Sequence, residues 1–147
     1  MPRLALFCAL LCLAAAPARS SELVLVILGL ESGDGELQIE LFGPAQRATF
    51  PYAERGVLQE LRIPARMLLA PGASVSLGDL PPGTYAIAVV HDANGNGDMD
   101  FDLLGLPKER YGFSNGARPR LGPPSFDAAA VKVSGAGVTR AAVSLAR

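Results

Sequence analysis

The chain has 147 residues, half of them hydrophobic, with two cysteines and a formal net charge of −1. This length fits one ordinary domain, and an acidic chain is a poor partner for nucleic acid, because binding to phosphates depends on basic side chains. Both cysteines, Cys8 and Cys12, lie near the N-terminus. The rest of the chain therefore has no disulfide, thiolate metal site or cysteine nucleophile.

Residues 1–20 have the order of a secretory signal peptide. Arg3 supplies a positive charge, residues 4–16 are all apolar, and small residues follow as far as Ala18 and Ser20. This order is typical of a cleaved export signal, and the apolar run is shorter than the roughly 20 residues of a membrane-spanning helix. We therefore expect cleavage after Ala18 or Ser20, a periplasmic or secreted location, and no membrane span.

The predicted mature domain, residues 21–147, begins with strand patterns. Residues 23–30 form an apolar run rich in β-branched side chains, which predicts a strand buried on both faces. Two glycines around an aspartate in residues 31–36 predict a hairpin turn. Apolar residues then alternate with polar ones over residues 37–41, which predicts a half-buried strand as the second arm of that hairpin.

The middle of the domain mixes loops and strands. Residues 43–56 predict a loop, whereas residues 57–63 fit either a strand or a short helical turn. Alternation over residues 73–77 predicts another strand. The turn Pro81-Pro82-Gly83 combines a fixed φ with a residue that accepts positive φ, and it precedes the clearest inner strand, residues 84–90.

The last third contains one long irregular stretch and two closing strands. Residues 92–127 are rich in glycine, proline and asparagine, and a loop of that length is typical of a functional or disordered segment. Residues 129–133 and 138–145 predict two final strands. The whole pattern predicts an all-β fold, a single antiparallel β-sandwich of about seven strands with one long irregular loop.

The start of that loop, from His91 to Asp100, has the spacing of a calcium-binding loop. Counted from Asp92 as position 1, side-chain oxygens fall at positions 1, 3, 5 and 9, and a glycine falls at the sharp turn at position 6. Calcium takes about six to eight oxygen ligands, some of them backbone carbonyls. The predicted calcium ligands are Asp92, Asn94, Asn96, Asp98 (through its carbonyl) and Asp100.

The calcium pattern departs from the usual one at position 12. Leu103 stands where a bidentate glutamate is expected, and Asp102, Glu109 or a water molecule is a candidate to replace it. The alternative interpretation is that the two Asn-Gly pairs only supply positive φ to a loop. The sequence leaves both interpretations open.

Aromatic and basic residues further along the loop also have two interpretations. The aromatic side chains of Tyr111, Phe113 and Phe126 line a ligand pocket in the first and pin the loop onto the sandwich in the second. The arginines bind an anion, or they balance nearby acidic side chains as surface pairs. These arginines are Arg110, Arg118 and Arg120, and the acidic residues are Asp98, Asp100, Asp102 and Glu109.

Catalysis has little support, and the sequence does not decide whether the protein is an enzyme. His91 is the only histidine, and with Glu109 and Ser114 it supplies the candidates for a hydrolase acting in the long loop. No nucleophile elbow or comparable motif accompanies them. No catalytic or cofactor-binding residue is therefore predicted.

A set of short motifs runs in order through about a third of the chain. These are Leu80-Pro81-Pro82-Gly83-Thr84-Tyr85, His91-Asp92 with Asn94-Gly95-Asn96-Gly97, Gly105-Leu106-Pro107-Lys108-Glu109, Tyr111-Gly112-Phe113-Ser114-Asn115 and Gly122-Pro123-Pro124-Ser125-Phe126. The set resembles domain of unknown function family 2141, a group of exported bacterial proteins. Its first motif is similar to a turn in transthyretin-like and collagen-adhesin B-type sandwiches. The resemblance implies export and a β-sandwich and carries no assigned activity.

Taken together, the patterns favour an exported, non-enzymatic binding or accessory module with a calcium-ordered loop and an unidentified ligand or protein partner. A hydrolase using the long loop and a purely structural domain are the alternatives.

Overall fold

The computed structural model describes residues 19–147, so the predicted signal peptide lies outside the described residues except for its last two. The described part contains eight strands and four short 3-10 turns, and no helix in it is long and apolar enough to cross a membrane. The strands are β1 (Ser21–Leu28), β2 (Glu36–Phe42), β3 (Gln59–Pro64), β4 (Ser74–Leu80), β5 (Gly83–Asp92), β6 (Arg110–Phe113), β7 (Val131–Val133) and β8 (Val138–Ser144).

The strands form two sheets. One sheet has the order β4-β1-β8, and the other has the order β3-β2-β5-β6, with β7 paired to the first residues of β5. The predicted all-β sandwich is therefore confirmed. Every pair is antiparallel except β1 with β8, which is parallel, so the sandwich is not purely antiparallel.

The main core lies between the sheets and follows the period of two. Leu23 and Leu25 of β1 face Leu37, Ile39 and the other apolar side chains on the inner face of the second sheet, and all four are fully buried. Each such side chain contributes about 1.5–3 kcal/mol to the free energy of folding. On the outer face of β1, Val26 is only half-buried, so burial of this strand on both faces is incomplete.

The predicted hairpin between β1 and β2 is wrong, because residues 29–35 carry the chain from one sheet to the other. Gly35 makes the close approach in this connection. Its φ is +61°, and a Cβ there would lie 1.9 Å from the carbonyl oxygen of Asp92. Glycine between two apolar strands thus marks a tight packing contact here, which local sequence does not distinguish from a hairpin turn.

A second apolar cluster covers the outer face of the five-stranded sheet. Phe50, from the predicted loop 43–56, packs edge-on against Phe42, Phe113 and Phe126, with ring centroids 5.0, 5.8 and 6.0 Å away. Such geometry adds about 0.5–1.5 kcal/mol per pair beyond burial. The loop 43–56, through Phe50, and the irregular stretch that follows β6, through Phe126, are therefore held on the sheet by their own aromatic side chains.

Two further predictions are settled by the second sheet. Residues 57–63, which fit a strand or a turn, lie mostly in strand β3, and the stretch predicted as irregular, residues 92–127, contains strand β6. Tyr111 of β6 also exchanges two backbone hydrogen bonds of 3.0 Å with Ala146, just beyond β8. This bridge joins the two sheets along one side and fixes the base of the connection from β5 to β6, residues 93–109.

Candidate functional site

Asp92, the last residue of β5, organises the start of this connection. Its carboxylate is fully buried, and Oδ1 accepts hydrogen bonds from the backbone N–H groups of Gly95 (2.7 Å) and Asn96 (3.3 Å). Oδ2 accepts one from the N–H of Gly97 (2.7 Å) and one from Nε2 of Gln38 (3.2 Å). Both oxygens are thus occupied, and they fold the chain into a tight loop around the carboxylate.

The side chains of Asn94 and Asn96 converge on Asp100. Their Nδ2 atoms donate to the same oxygen, Asp100 Oδ2, at 2.6 and 3.1 Å. Their Oδ1 atoms accept backbone N–H bonds from Asn96 (3.0 Å) and Asp98 (2.9 Å). Three of the five predicted ligands therefore lie together, while Asp92 lies beneath them and the side chain of Asp98 is exposed.

Glu109 closes the loop from the other end. Its carboxylate is buried, and Oε2 accepts a hydrogen bond of 2.6 Å from the backbone N–H of Asp100. The carbonyl of Asp100 accepts a second bond, of 2.8 Å, from the N–H of Lys108. Of the two side-chain candidates for the missing position-12 ligand, Glu109 therefore lies against the backbone of Asp100. Asp102 instead uses Oδ1 to accept from the N–H groups of Leu104 and Leu106.

No group of three or more His, Cys, Asp or Glu side chains in residues 19–147 is placed to hold a metal ion. The predicted set differs from such a group because two of its five members are asparagines and one is expected to bind through a carbonyl. The calcium site therefore stays a prediction, and its geometry is that of a loop closed by its own polar side chains.

The three hydrolase candidates are used in structural hydrogen bonds. His91 is buried, and its Nε2 lies 2.8 Å from the carbonyl oxygen of Asp34. The hydroxyl of Ser114 is fully buried, donates to the carbonyl of Ala129 and accepts from the N–H of Ile87 at 2.9 Å. Since Ser114 lies beside Ile87, it is four residues of strand, about 13 Å, away from His91. This spacing places the pair outside hydrogen-bonding distance.

The aromatic side chains have divided roles. Phe113 and Phe126 are buried in the second apolar cluster and pin the loop onto the sheet. Tyr111 is half-exposed and lines a cleft of about 240 Å³ together with Arg118 and Arg147. This cleft lies at the seam between the two sheets and is lined by Tyr111 and Phe113 but not by Phe126, so a ligand pocket among these aromatic residues stays a prediction.

The predicted pairing of the arginines with the loop acids is wrong for Arg110, which forms an ion pair with Glu31. Within residues 19–147, neither Arg118 nor Arg120 forms an ion pair. The link between β1 and β2, rather than the neighbouring loop, supplies the partner because it passes beside the start of β6.

Sequence analysis missed a polar patch on the outer face of the second sheet. Glu40 lies directly opposite Glu60 in the β2–β3 ladder. Burial, followed by repulsion from Glu60 and Glu54, raises the pKa of Glu40 to about 7, whereas Arg62 opposes this shift. The loop lies beside this patch, since a Cβ on Gly97 would be 3.5 Å from Arg62 Nη1. The proximity of Glu40, Glu60 and Arg62 follows from the pairing of β2 with β3, which the sequence alone does not predict.

Comparison with protein-family models gave a match over residues 25–141, to the family described as "Uncharacterized protein conserved in bacteria (DUF2141)". The match covers most of the chain and includes every strand from β2 to β7. Comparisons with curated proteins and with solved structures gave no match. The similarity to transthyretin-like and collagen-adhesin sandwiches stays a prediction.

Proposed function

This chain belongs to DUF2141, a family of uncharacterised bacterial proteins, and from that premise we propose that it is an exported, non-enzymatic binding or accessory module whose connection 93–109 is ordered by calcium. The export signal, the calcium and the accessory role are all parts of this proposal. The partner is an unidentified ligand or protein.

The observation that carries the proposal is the convergence of Asn94 and Asn96 on Asp100. Both amides point Nδ2 at the carboxylate. A half-turn of each amide about χ2 would present Oδ1 instead, because the two ends of an amide have nearly the same shape. The half-turn would break the backbone N–H bonds that Oδ1 of Asn94 and Asn96 now accept, and coordination to the ion would have to offset this loss. Two amide oxygens and a carboxylate would then face one point, which is the donor chemistry that calcium prefers.

The charge of the loop supports a cation as well. None of the ion pairs in residues 19–147 involves Asp92, Asp98, Asp100 or Asp102. Four carboxylates within residues 92–102 give this loop a negative potential, and such a potential attracts a divalent cation. The buried carboxylate of Glu109, bonded to the backbone of Asp100, adds a further negative charge behind the site.

The non-enzymatic part of the proposal is supported by the roles of His91 and Ser114. The serine hydroxyl already donates to one carbonyl and accepts from one N–H, and it is fully buried. A nucleophile must be accessible and must contact its base. We therefore favour a binding module over a hydrolase.

The test is thermal melting of the protein in chelator, in calcium and in magnesium. The protein is taken from its native compartment, where mass spectrometry is expected to show an N-terminus at residue 19 or 21. With a dissociation constant on the order of 0.1–1 mM, a hundredfold excess of calcium should raise the free energy of unfolding by about 2.7 kcal/mol. Magnesium should do much less, because it requires a rigid octahedron.

A matched pair of variants locates the site. Asp100→Asn removes one negative charge and a proposed ligand, and it should abolish the rise in melting temperature. Asp98→Asn removes the same charge two residues away, but the proposed ligand there is the backbone carbonyl, so the rise should persist. Equal melting of the wild type in chelator and in excess calcium would refute the proposal, and equal loss in both variants would reduce the effect to net charge.

A further inference from the structure

The far end of the connection, residues 101–106, forms an exposed apolar tip. Leu103 and Leu104 are 106% and 83% exposed, and Leu106 and Phe101 are 58% and 56% exposed. Four large apolar side chains within six residues are unusual on a protein surface, where such side chains are normally scattered singly. The first two are about as accessible as in a short peptide, so the tip is convex.

The tip is held in shape by hydrogen bonds. The carbonyl of Asp102 accepts from the N–H of Gly105 at 3.0 Å, and its side chain accepts from the N–H groups of Leu104 (2.8 Å) and Leu106 (2.9 Å). A β-bridge between Phe101 and Pro107 closes the base. The leucines are therefore presented to solvent by a defined turn, and their exposure does not arise from fraying.

Basic side chains lie directly behind the tip. One surface depression is lined by Leu106, Lys108, Tyr111 and Arg147, together with Asp102 and Pro107. Lys108 and Arg147 are exposed, and neither forms an ion pair with any residue from 19 to 147. An apolar end, a tyrosine beside it and unpaired cations at its base match the layers of a lipid surface, which are acyl chains, interface and anionic headgroups. Asp102, the acidic residue of the tip, opposes the anionic surface, but its carboxylate accepts two backbone N–H bonds within the turn.

We propose that residues 101–106 insert into the surface of a lipid bilayer that carries anionic headgroups, with Lys108 and Arg147 at the level of the phosphates. The convex shape favours this occupant, since a bilayer accepts a projecting side chain without a preformed pocket. The protein then lies on the membrane through a few side chains and does not span it. This inference goes beyond the proposed function and does not depend on calcium.

The test is co-sedimentation with vesicles made of equal parts phosphatidylglycerol and phosphatidylcholine, compared with vesicles of phosphatidylcholine alone. The double variant Leu103→Ser/Leu104→Ser should bind the anionic vesicles at least about tenfold more weakly than the wild type. Leu121→Ser is the matched control, because Leu121 is 107% exposed but lies outside the tip. All proteins share one N-terminus, so their differences report on the substituted side chains. Each measurement is made in chelator and in millimolar calcium.

A second measurement reports insertion directly. The chain has no tryptophan, so Leu104→Trp introduces a single reporter whose emission should shift to shorter wavelength on the anionic vesicles. Leu121→Trp should not shift. Lys108→Ala should weaken binding by a few-fold, and added salt should weaken it further, because exposed charges are screened.

Loss of vesicle binding in the tip variant alone, in either ionic condition, supports the proposal. Failure of the wild type to bind in both conditions overturns it, as does an equal effect of Leu121→Ser. A second copy of the chain is the other possible occupant, and sedimentation equilibrium without lipid distinguishes it. A wild-type dimer that becomes a monomer in the tip variant would assign the leucines to that interface and overturn the membrane role.

Discussion

Two segments without regular strand structure lie against the second sheet, residues 43–56 and residues 93–109. They are ordered by different interactions. Burial of Phe50 among three other aromatic rings holds the first segment. The carboxylates of Asp92 and Glu109, through hydrogen bonds to backbone N–H groups, hold the second. Apolar burial depends little on ions, whereas the second segment is organised around carboxylates, so the proposed calcium effect concerns the second segment.

The largest expected effect is on the aromatic segment. Phe50→Ala should lower the free energy of unfolding by about 3–5 kcal/mol, because it opens a cavity among Phe42, Phe113 and Phe126. Urea denaturation measures this change. Tyr52→Ala, nearby but 41% exposed and stacked only on Arg55, should cost about 1 kcal/mol or less.

The calcium response of the Phe50→Ala variant tests whether the two segments are independent. If the two segments are ordered independently, Phe50→Ala should keep the full calcium-dependent rise in melting temperature. Loss of the rise in a folded Phe50→Ala protein would show that the aromatic cluster also positions the loop, and the comparison between the segments would fail.

The next effect is on the polar segment. Asp92→Ala should lower the free energy of unfolding by about 2 kcal/mol, since it removes hydrogen bonds to a buried charge from Gly95, Gly97 and Gln38. It should also abolish the calcium response. Asp98→Ala, at an exposed side chain, should change stability by less than about 0.5 kcal/mol. A similar cost in both variants, measured by denaturation in chelator, would mean that Asp92 does not organise the loop.

The strands were predictable where apolar residues alternate. The patterns in residues 23–30, 37–41 and 84–90 correspond to β1, β2 and β5, because burial on one face of a sheet imposes a period of two. Strand β6 was missed because it has only four residues, one of them a glycine. The link between β1 and β2 was wrongly predicted as a hairpin turn, because glycines in a link do not determine which sheet the next strand joins.

The site was predictable only as far as it is local. Spacing alone predicted that Asn94 and Asn96 meet Asp100, since residues four and six apart come together when a loop turns sharply. The contacts of Gln38 with Asp92 and of Glu60 with Glu40 come from strand pairing over long separations. No pattern within the loop carries that information.

The smallest expected effect is a pH dependence on the polar face of the second sheet. The pKa of Glu40 is raised to about 7 in the folded protein, first by burial and then by Glu60 and Glu54. A raised pKa means that the folded state favours the protonated form. The associated stability is fully present below the unfolded value, about 4.5, and is lost as the pH rises through about 7.

Glu40→Gln should therefore stabilise the protein by about 1–2 kcal/mol at pH of about 8, after allowance for solvent screening, and should have little effect at pH of about 4. Urea denaturation at the two pH values measures this difference. Glu60→Gln removes the repulsion between Glu60 and Glu40 but leaves Glu40 buried, so it should lower the pKa of Glu40 only in part. The pH dependence of the free energy of unfolding should therefore weaken less than in Glu40→Gln. A Glu40→Gln protein with the same pH dependence as the wild type would show that Glu40 titrates as an ordinary surface carboxylate. The proposed calcium response of the loop that follows Asp92 would then be the only ion-dependent property expected on this face of residues 19–147.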